Sequence, residues 1–235
     1  MKIMTDQEKL MYYKNECTRL NNKNTDLELM VHGLEDTARR IARHAVIEPE
    51  QPADLIVLDI ETTGLSKIDD EILQVSMIDG SGNTLYNSYL KPLHLTSWED
   101  AERINHISPA MVVDAPNIYL EMPKINGILK NAKTIVGYNH EGFDIPFLQL
   151  FGAVIPETAK IFDVMLEFAP IYGEWSEKHE GYKWKNLATC AEHYGYDWGS
   201  DMAHDSLADC RATLYCYQKI LREINSENEC QQKCG

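Results

Sequence analysis

LIVLDIETTGL (residues 55–65) sets an apolar run, Leu55 to Leu58, directly against Asp59, Ile60 and Glu61. The run has the length and aliphatic content of a buried strand. Side chains alternate between faces along a strand, so Asp59 and Glu61 share one face while Ile60 points the other way, into the core. Two carboxylates side by side at the end of such a strand repel each other, and burying either is costly unless a cation is present. Oxygen ligands at this spacing suit Mg²⁺ or Mn²⁺. Many surface strands carry an Asp-x-Glu pair, so the rest of the chain has to decide between ligand and surface.

Working outward, the downstream pattern is mixed α/β. Strands are expected at 54–60, 71–79 and 83–90, the last two joined by the Gly80-Ser81-Gly82-Asn83 turn. Helices are expected at 98–105, 108–114 and 117–131, and KTIVGYN (133–139) reads as a buried strand. A helix at 146–151 has Pro146 suited to its first turn. KIFDV (160–164) is a short strand or turn leading into a helix at 163–169. A helix at 185–194 is stopped by Gly195, and a final helix runs over 205–224 with Asp205 at its N-cap. This order predicts an α/β domain over 54–224, a mixed sheet with helices on both faces.

Upstream, residues 1–46 follow another rule. Leu10, Tyr13, Cys17, Leu20, Asn24, Leu27, Val31, Leu34, Ala38, Ile41 and Ala45 repeat at alternating three- and four-residue steps. That is a coiled-coil seam, with Asn24 at an a-type position, and it predicts a parallel homodimer through residues 4–46. The alternative is a helical hairpin or a single helix packed on the main domain, since Asn21-Asn22-Lys23-Asn24 is a weak helix-forming stretch that could break the helix. Two prolines mark 47–53 as a linker, and 225–235 reads as a polar tail.

With 44% hydrophobic residues the chain can build a full core. No run reaches the roughly 18 apolar residues of a membrane span and no signal peptide opens the chain, so a cytoplasmic protein without membrane attachment is expected. The net charge of -15, from 37 acids against 22 bases, argues against sequence-independent binding along a duplex. It leaves room for a site that grips a few terminal nucleotides. Cys190, His193, His204 and Cys210 match no common zinc spacing, and small buried thiols are the simpler reading. Trp175, Tyr182 and Trp184 alternate with Lys178, Lys183 and Lys185 in 172–186. That segment is either a stacking and phosphate-contact loop for a single strand or a surface loop pinned by its aromatics.

Two more acidic clusters sit where elements meet. In VGYNHEGFDIPFL (136–148) an apolar strand runs through Asn139 to Phe143 and Asp144, where a helix opens. In MAHDSLADCRAT (202–213) His204 and Asp209 are five apart, too far round a helix to share a face. They aim at one point only if His204 lies on the loop before the helix. Together the clusters place four carboxylates around two cations at one sheet edge, with a histidine beside them as a base.

DIETTGL, YNHEGFD and AHDSLAD resemble, in order, the three motifs of the DEDD 3′–5′ exonucleases. His204-x4-Asp209 resembles the histidine branch, which includes the proofreading subunit of bacterial DNA polymerase III and ribonuclease T. ERINHISPAMV (102–112) also looks like a segment of that family. The resemblance implies a ribonuclease H-like fold with a mixed five-stranded sheet and flanking helices. It implies that Asp59, Glu61, Asp144 and Asp209 ligate two Mg²⁺ or Mn²⁺ ions and that His204 is the general base. By the same resemblance Thr62, Thr63 and Leu65 meet the terminal nucleotide, and Asn139 and Phe143 support the pocket. His106 lies near the substrate or serves packing and capping.

The expected activity is hydrolysis at single-stranded or frayed 3′ ends with release of 5′-mononucleotides, DNA being favoured and a polymerase partner compatible. An RNA-trimming exoribonuclease is the alternative, since no motif reads out a 2′-OH. A non-catalytic coiled-coil protein with a silenced nuclease fold is the second alternative, and no catalytic position is missing to support it.

Overall fold

The computed structural model describes residues 6–49, 52–199 and 204–234, with the side chains of the terminal helices described over 19–21, 23–25, 27–44 and 206–226. The side chains of seam positions Leu10, Tyr13 and Cys17 and of Cys230 and Cys234, and the linker residues 50 and 51, fall outside what is described. The chain divides into two compact units, one ending at Ile41 and the other beginning at Ala42.

The first unit is the body of helix α1 (Asp6–His44). It runs unbroken through the Asn-rich stretch, as a continuous coil requires and a hairpin does not. Asn costs a helix interior only about 0.7 kcal/mol per residue relative to Ala, too little to stop 39 residues. Along the seam Leu20, Leu27, Val31, Leu34 and Ile41 are all exposed in the single chain.

The second unit is built on a five-stranded sheet. Its strands are β1 (Leu55–Thr62), β2 (Ile72–Asp79), β3 (Thr84–Tyr89), β4 (Thr134–Gly137) and β5 (Lys160–Asp163), in the spatial order β3-β2-β1-β4-β5. β1 pairs antiparallel with β2 and parallel with β4, and β4 pairs parallel with β5. Helices α2 (Glu99–Asn105), α3 (Pro109–Val112), α4 (Ile118–Leu129), α5 (Asp144–Leu150), α6 (Val164–Tyr172), α7 (Leu187–Tyr194) and α8 (Ser206–Cys234) surround it. This is the mixed five-stranded, ribonuclease H-like α/β architecture expected from the motifs.

The alternation of β1 divides the core in two. Ile56, Leu58 and Ile60 pack with Ile125 and Leu129 of α4 and Phe147 of α5. Val57 packs on the other face with Phe168, Cys190, Cys210 and Tyr217 of α6, α7 and α8. The face of β1 that carries Asp59 and Glu61 is therefore the α8 face. At the linker, Ile47 donates to the carbonyl of Pro123 at 2.9 Å. The chain crosses α4 there at Gly127, where a Cβ would fall 1.7 Å from the Ile47 carbonyl oxygen.

Three elements depart from the sequence reading. α5 opens at Asp144, two residues before Pro146. α8 continues to Cys234 in place of a polar tail at 225–235, since Glu, Gln and Lys are good helix formers without any apolar face. The aromatic loop folds into a small hairpin, β6 (Trp175–Ser176) and β7 (Gly181–Tyr182), with the Trp175 and Tyr182 rings paired across it at 5.3 Å. Among the described residues no helix is long and apolar enough to cross a membrane.

Candidate active site

β4 stops at Gly137 and pairs with β1 only as far as Val57. Beyond that point the β4-facing edge of β1 has lost its strand partner, and an unpaired N–H there needs another acceptor. The carboxylate of Asp144, at the first position of α5, takes the Ile60 N–H at 3.0 Å. The second motif is thus joined to the first through the backbone left bare by a short neighbouring strand. The register with β2 shifts between Glu61 and Thr62, where Glu61 pairs with Gln74 and Thr62 with Ile72.

The third motif arrives from the α8 face. Asp205 caps α8, its Oδ1 accepting the N–H groups of Leu207 and Ala208 at 3.1 Å each. The hydroxyls of Ser206 and Ser76 meet at 2.6 Å, tying the first turn of α8 to β2. That places Asp209 over Asp59 and Glu61, and one carboxylate oxygen from each of the three lies within 4.8 Å of the others. His204 precedes the helix in the left-handed region, φ 68°, a conformation that His enters more readily than most residues. Its backbone N–H donates to the Asp209 carboxylate at 3.2 Å, and its residue surface is exposed. His204 and Asp209 therefore stand as the five-residue spacing required, one on the loop and one in the first turns.

Burial and mutual repulsion dominate the electrostatics. Burial, then the charges of Asp144, Asp209 and Glu61, push the Asp59 carboxyl well above the usual range. Burial and the charges of Asp209 and Asp144 push Glu61 up to about 9, against a hydrogen bond from Asn105. Burial raises Asp144 to about 7 against the opposing charge of His140 and the Ile60 N–H. Burial raises Asp209 to about 7 against the His204 N–H. Four carboxyls pushed above the usual carboxylate range, Asp144 and Asp209 buried and Asp59 and Glu61 half-buried, fit a hard-cation site whose donors are all oxygen. Among the described residues this is the one cluster of His, Cys, Asp and Glu with ligand spacing. Cys190 and Cys210 lie in the core, so the four-residue zinc set does not assemble.

Beside the carboxylates is a cleft of about 300 Å³ lined by Thr62, Thr63, Leu65, Ile104, Asn105 and Phe143, among others. Leu65 is 84% exposed at its rim, on a loop folded about Asp70, which accepts from Thr63 Oγ1 at 3.0 Å and from the Ser66 N–H at 2.8 Å. Four of the six expected substrate contacts therefore line one cleft. The other two do not line it. His106 is the left-handed C-cap of α2, φ 59°, closing that helix on the Glu102 carbonyl. Asn139 sits in a turn, φ 60°, its N–H donating to Asp163 Oδ1 at 2.9 Å.

The residue missed is Asn105. It is buried, donates to the Thr62 carbonyl at 3.1 Å and holds down the Glu61 carboxyl. In sequence it reads as an ordinary helix C-terminal Asn. In the aromatic hairpin Lys183 and Lys185 both engage Glu174, so of the three lysines only Lys178 forms no ion pair among the described residues.

A family model for exonucleases of the ribonuclease T type matches residues 56–217, spanning all three motifs. The chain belongs to the DEDD exonuclease family. An uncharacterized exonuclease, CP81, of Escherichia phage 186 is 31% identical over 177 residues, 68% of this chain and 84% of that protein. A PolC-type DNA polymerase III of Caldanaerobacter subterraneus subsp. tengcongensis is 25% identical over 75% of this chain, which spans only 12% of the polymerase. The crystal structure of E. coli exonuclease I in complex with a dT13 oligonucleotide superposes with a TM-score of 0.58 at 21% identity. That match covers 72% of this chain and 40% of the other, and it concerns the fold. The chain is a nuclease of a divalent-metal-dependent family, and its acidic cluster lies where the family motifs converge.

Proposed function

We propose that this exonuclease removes nucleotides from single-stranded or frayed 3′ ends of DNA and releases 5′-mononucleotides, using two Mg²⁺ or Mn²⁺ ions. The carrying observation is the convergence of Asp59, Glu61 and Asp209 within 4.8 Å, with Asp144 joined to the same strand. These four carboxylates would hold the ions. Bound there, divalent cations lower the pKa of water and offset charge on the phosphate.

The remaining work falls to protein groups. His204 accepts the proton of the attacking water, its backbone fixed by Asp209 and its ring at the surface. The cleft beside Glu61 takes the terminal nucleotide, with the exposed Leu65 under the base and Thr62, Thr63 and Phe143 along the sugar. A net charge of -15 suits a grip on the terminus alone.

DNA is favoured because the exonuclease I structure carries a dT13 oligonucleotide and the PolC-type relative is a DNA polymerase. The same relative makes a polymerase partner part of the proposal. The test is digestion of matched DNA and RNA oligonucleotides labelled at the 5′ end, with Mg²⁺, Mn²⁺ and EDTA arms. A ladder shortening from the 3′ end of DNA, abolished by EDTA, is expected. Faster loss of RNA moves the assignment to RNA trimming, and no cleavage with either metal leaves a non-catalytic binding protein.

A further inference from the structure

The second motif holds a buried histidine that the mechanism above does not use. His140 has no exposed surface. Its Nδ1 lies 3.3 Å from Asp163 Oδ2, and Nε2 has no hydrogen-bond partner. The space for the ring depends on Gly137 at the end of β4, where a Cβ would fall 2.4 Å from the ring Cγ.

Asp163 does more than hold the ring. It caps α6 through the Met165 N–H at 3.0 Å, and it accepts the N–H groups of Asn139 at 2.9 Å and Glu141 at 3.2 Å. The His140 carbonyl in turn accepts the Ile145 N–H at 2.9 Å, at the start of α5. The whole turn from β4 to Asp144 is thus folded round one imidazole pinned to one carboxylate. Filling space alone does not explain the residue. A leucine fills such a pocket without leaving a buried nitrogen unpaired, and unpaired buried polar atoms are retained where they serve something else.

We propose that His140, clamped by Asp163, is a positioning residue that sets Asp144 against β1 as a metal ligand. It touches neither substrate nor the reacting atoms. Groups behind a metal ligand orient it, and their loss weakens metal binding about 10–100-fold. The inference rests on Asp144 being a ligand, so its test carries that reading as a separate arm.

Mn²⁺ binding to the full chain is measured without substrate, by calorimetry or by the electron paramagnetic resonance of free Mn²⁺, together with thermal melts. His140→Leu is expected to weaken Mn²⁺ binding at least about tenfold while the metal-free melt stays cooperative. His140→Asn keeps a donor for Asp163 and is expected to bind within about threefold of the unaltered protein. Unweakened binding by the Leu variant overturns the proposal. So does equal weakening by Leu and Asn, because ring volume then matters and the Asp163 contact does not. If the Leu variant fails to fold, His140→Met, which also lacks a donor for Asp163, takes its place with the same two outcomes. Asp144→Asn run in parallel separates the failures. If it leaves Mn²⁺ binding unchanged, the site reading falls and this inference with it. If it weakens binding while His140→Leu does not, only the inference falls.

Discussion

A base that does not ligate metal has a signature of its own. His204 contributes its backbone N–H to Asp209 and keeps its imidazole at the surface, so chemistry and metal binding are separable at this one residue. Its φ of 68° decides which substitution separates them. Alanine there adds backbone strain to the loss of the ring, whereas asparagine enters the left-handed region readily. His204→Asn is expected to lower kcat by at least about 100-fold, the lower end of what a general base contributes, with Mn²⁺ affinity within about threefold. Single-turnover digestion beside a Mn²⁺ titration checks both halves, and an unchanged kcat removes His204 as the base. The same scale shows what the sequence could not say. Asn105 and His106 are neighbours, and the histidine drew attention as the chemically richer residue. The left-handed cap turns His106 out and leaves Asn105 buried against Thr62, a distinction of backbone handedness with no trace in residue type.

At the scale of elements, the strand and helix that carry the motifs were legible because their patterns are forced. β1 alternates between two cores, and Asp205 caps α8 as a short acidic residue before an apolar run should. The β6–β7 hairpin was not legible, because two-residue strands show no period and are held by one aromatic pair and by Glu174. The convergence at the end of β1 has a thermodynamic consequence. Without metal, Asp144 and Asp209 titrate near 7 and Glu61 near 9, against about 4 for unfolded carboxyls. Raised folded values mean that the native state binds more protons than the unfolded state between about pH 4 and 9, so stability falls as pH rises through that window. The metal-free protein is expected to melt highest near pH 5 and progressively lower toward pH 9. Saturating Mg²⁺ flattens the slope by supplying the charge that protons supply at low pH. Asp59→Asn is expected to raise the metal-free melting temperature at pH 8, by about 2–4 °C for each kcal/mol of repulsion removed, while abolishing hydrolysis. Scanning calorimetry across pH with and without Mg²⁺ is the check, and a metal-free melting temperature that climbs from pH 5 to 9 contradicts it.

For the whole molecule, the question is what a 39-residue helix with an exposed apolar seam is for. Helices draw most of their stability from burying an apolar face, and this one leaves Leu20, Leu27, Val31, Leu34 and Ile41 exposed along a heptad seam. We propose that a second copy covers the seam in a parallel two-stranded coil, with Asn24 at an a-type position fixing register and strand number. Charge supports a second copy. The helix carries seven acids and seven bases, so the net -15 of the chain lies elsewhere and little net repulsion opposes pairing. At a coiled-coil rise the seam spans about 58 Å, long enough for five heptads and well past the length at which isolated helices become marginal. Light scattering of the full chain at micromolar concentration is expected to give twice the chain mass of 26.9 kDa. Leu27→Lys with Leu34→Lys places charge at two d-type positions and is expected to return the mass to that of one chain, with exonuclease rate per chain unchanged on a short oligonucleotide. Asn24→Leu is expected to strengthen association and to admit a larger oligomer, because the buried amide no longer excludes it. A single-chain mass for the unaltered protein at these concentrations rules the coil out. A double mass that survives the two lysines moves the interface off the seam.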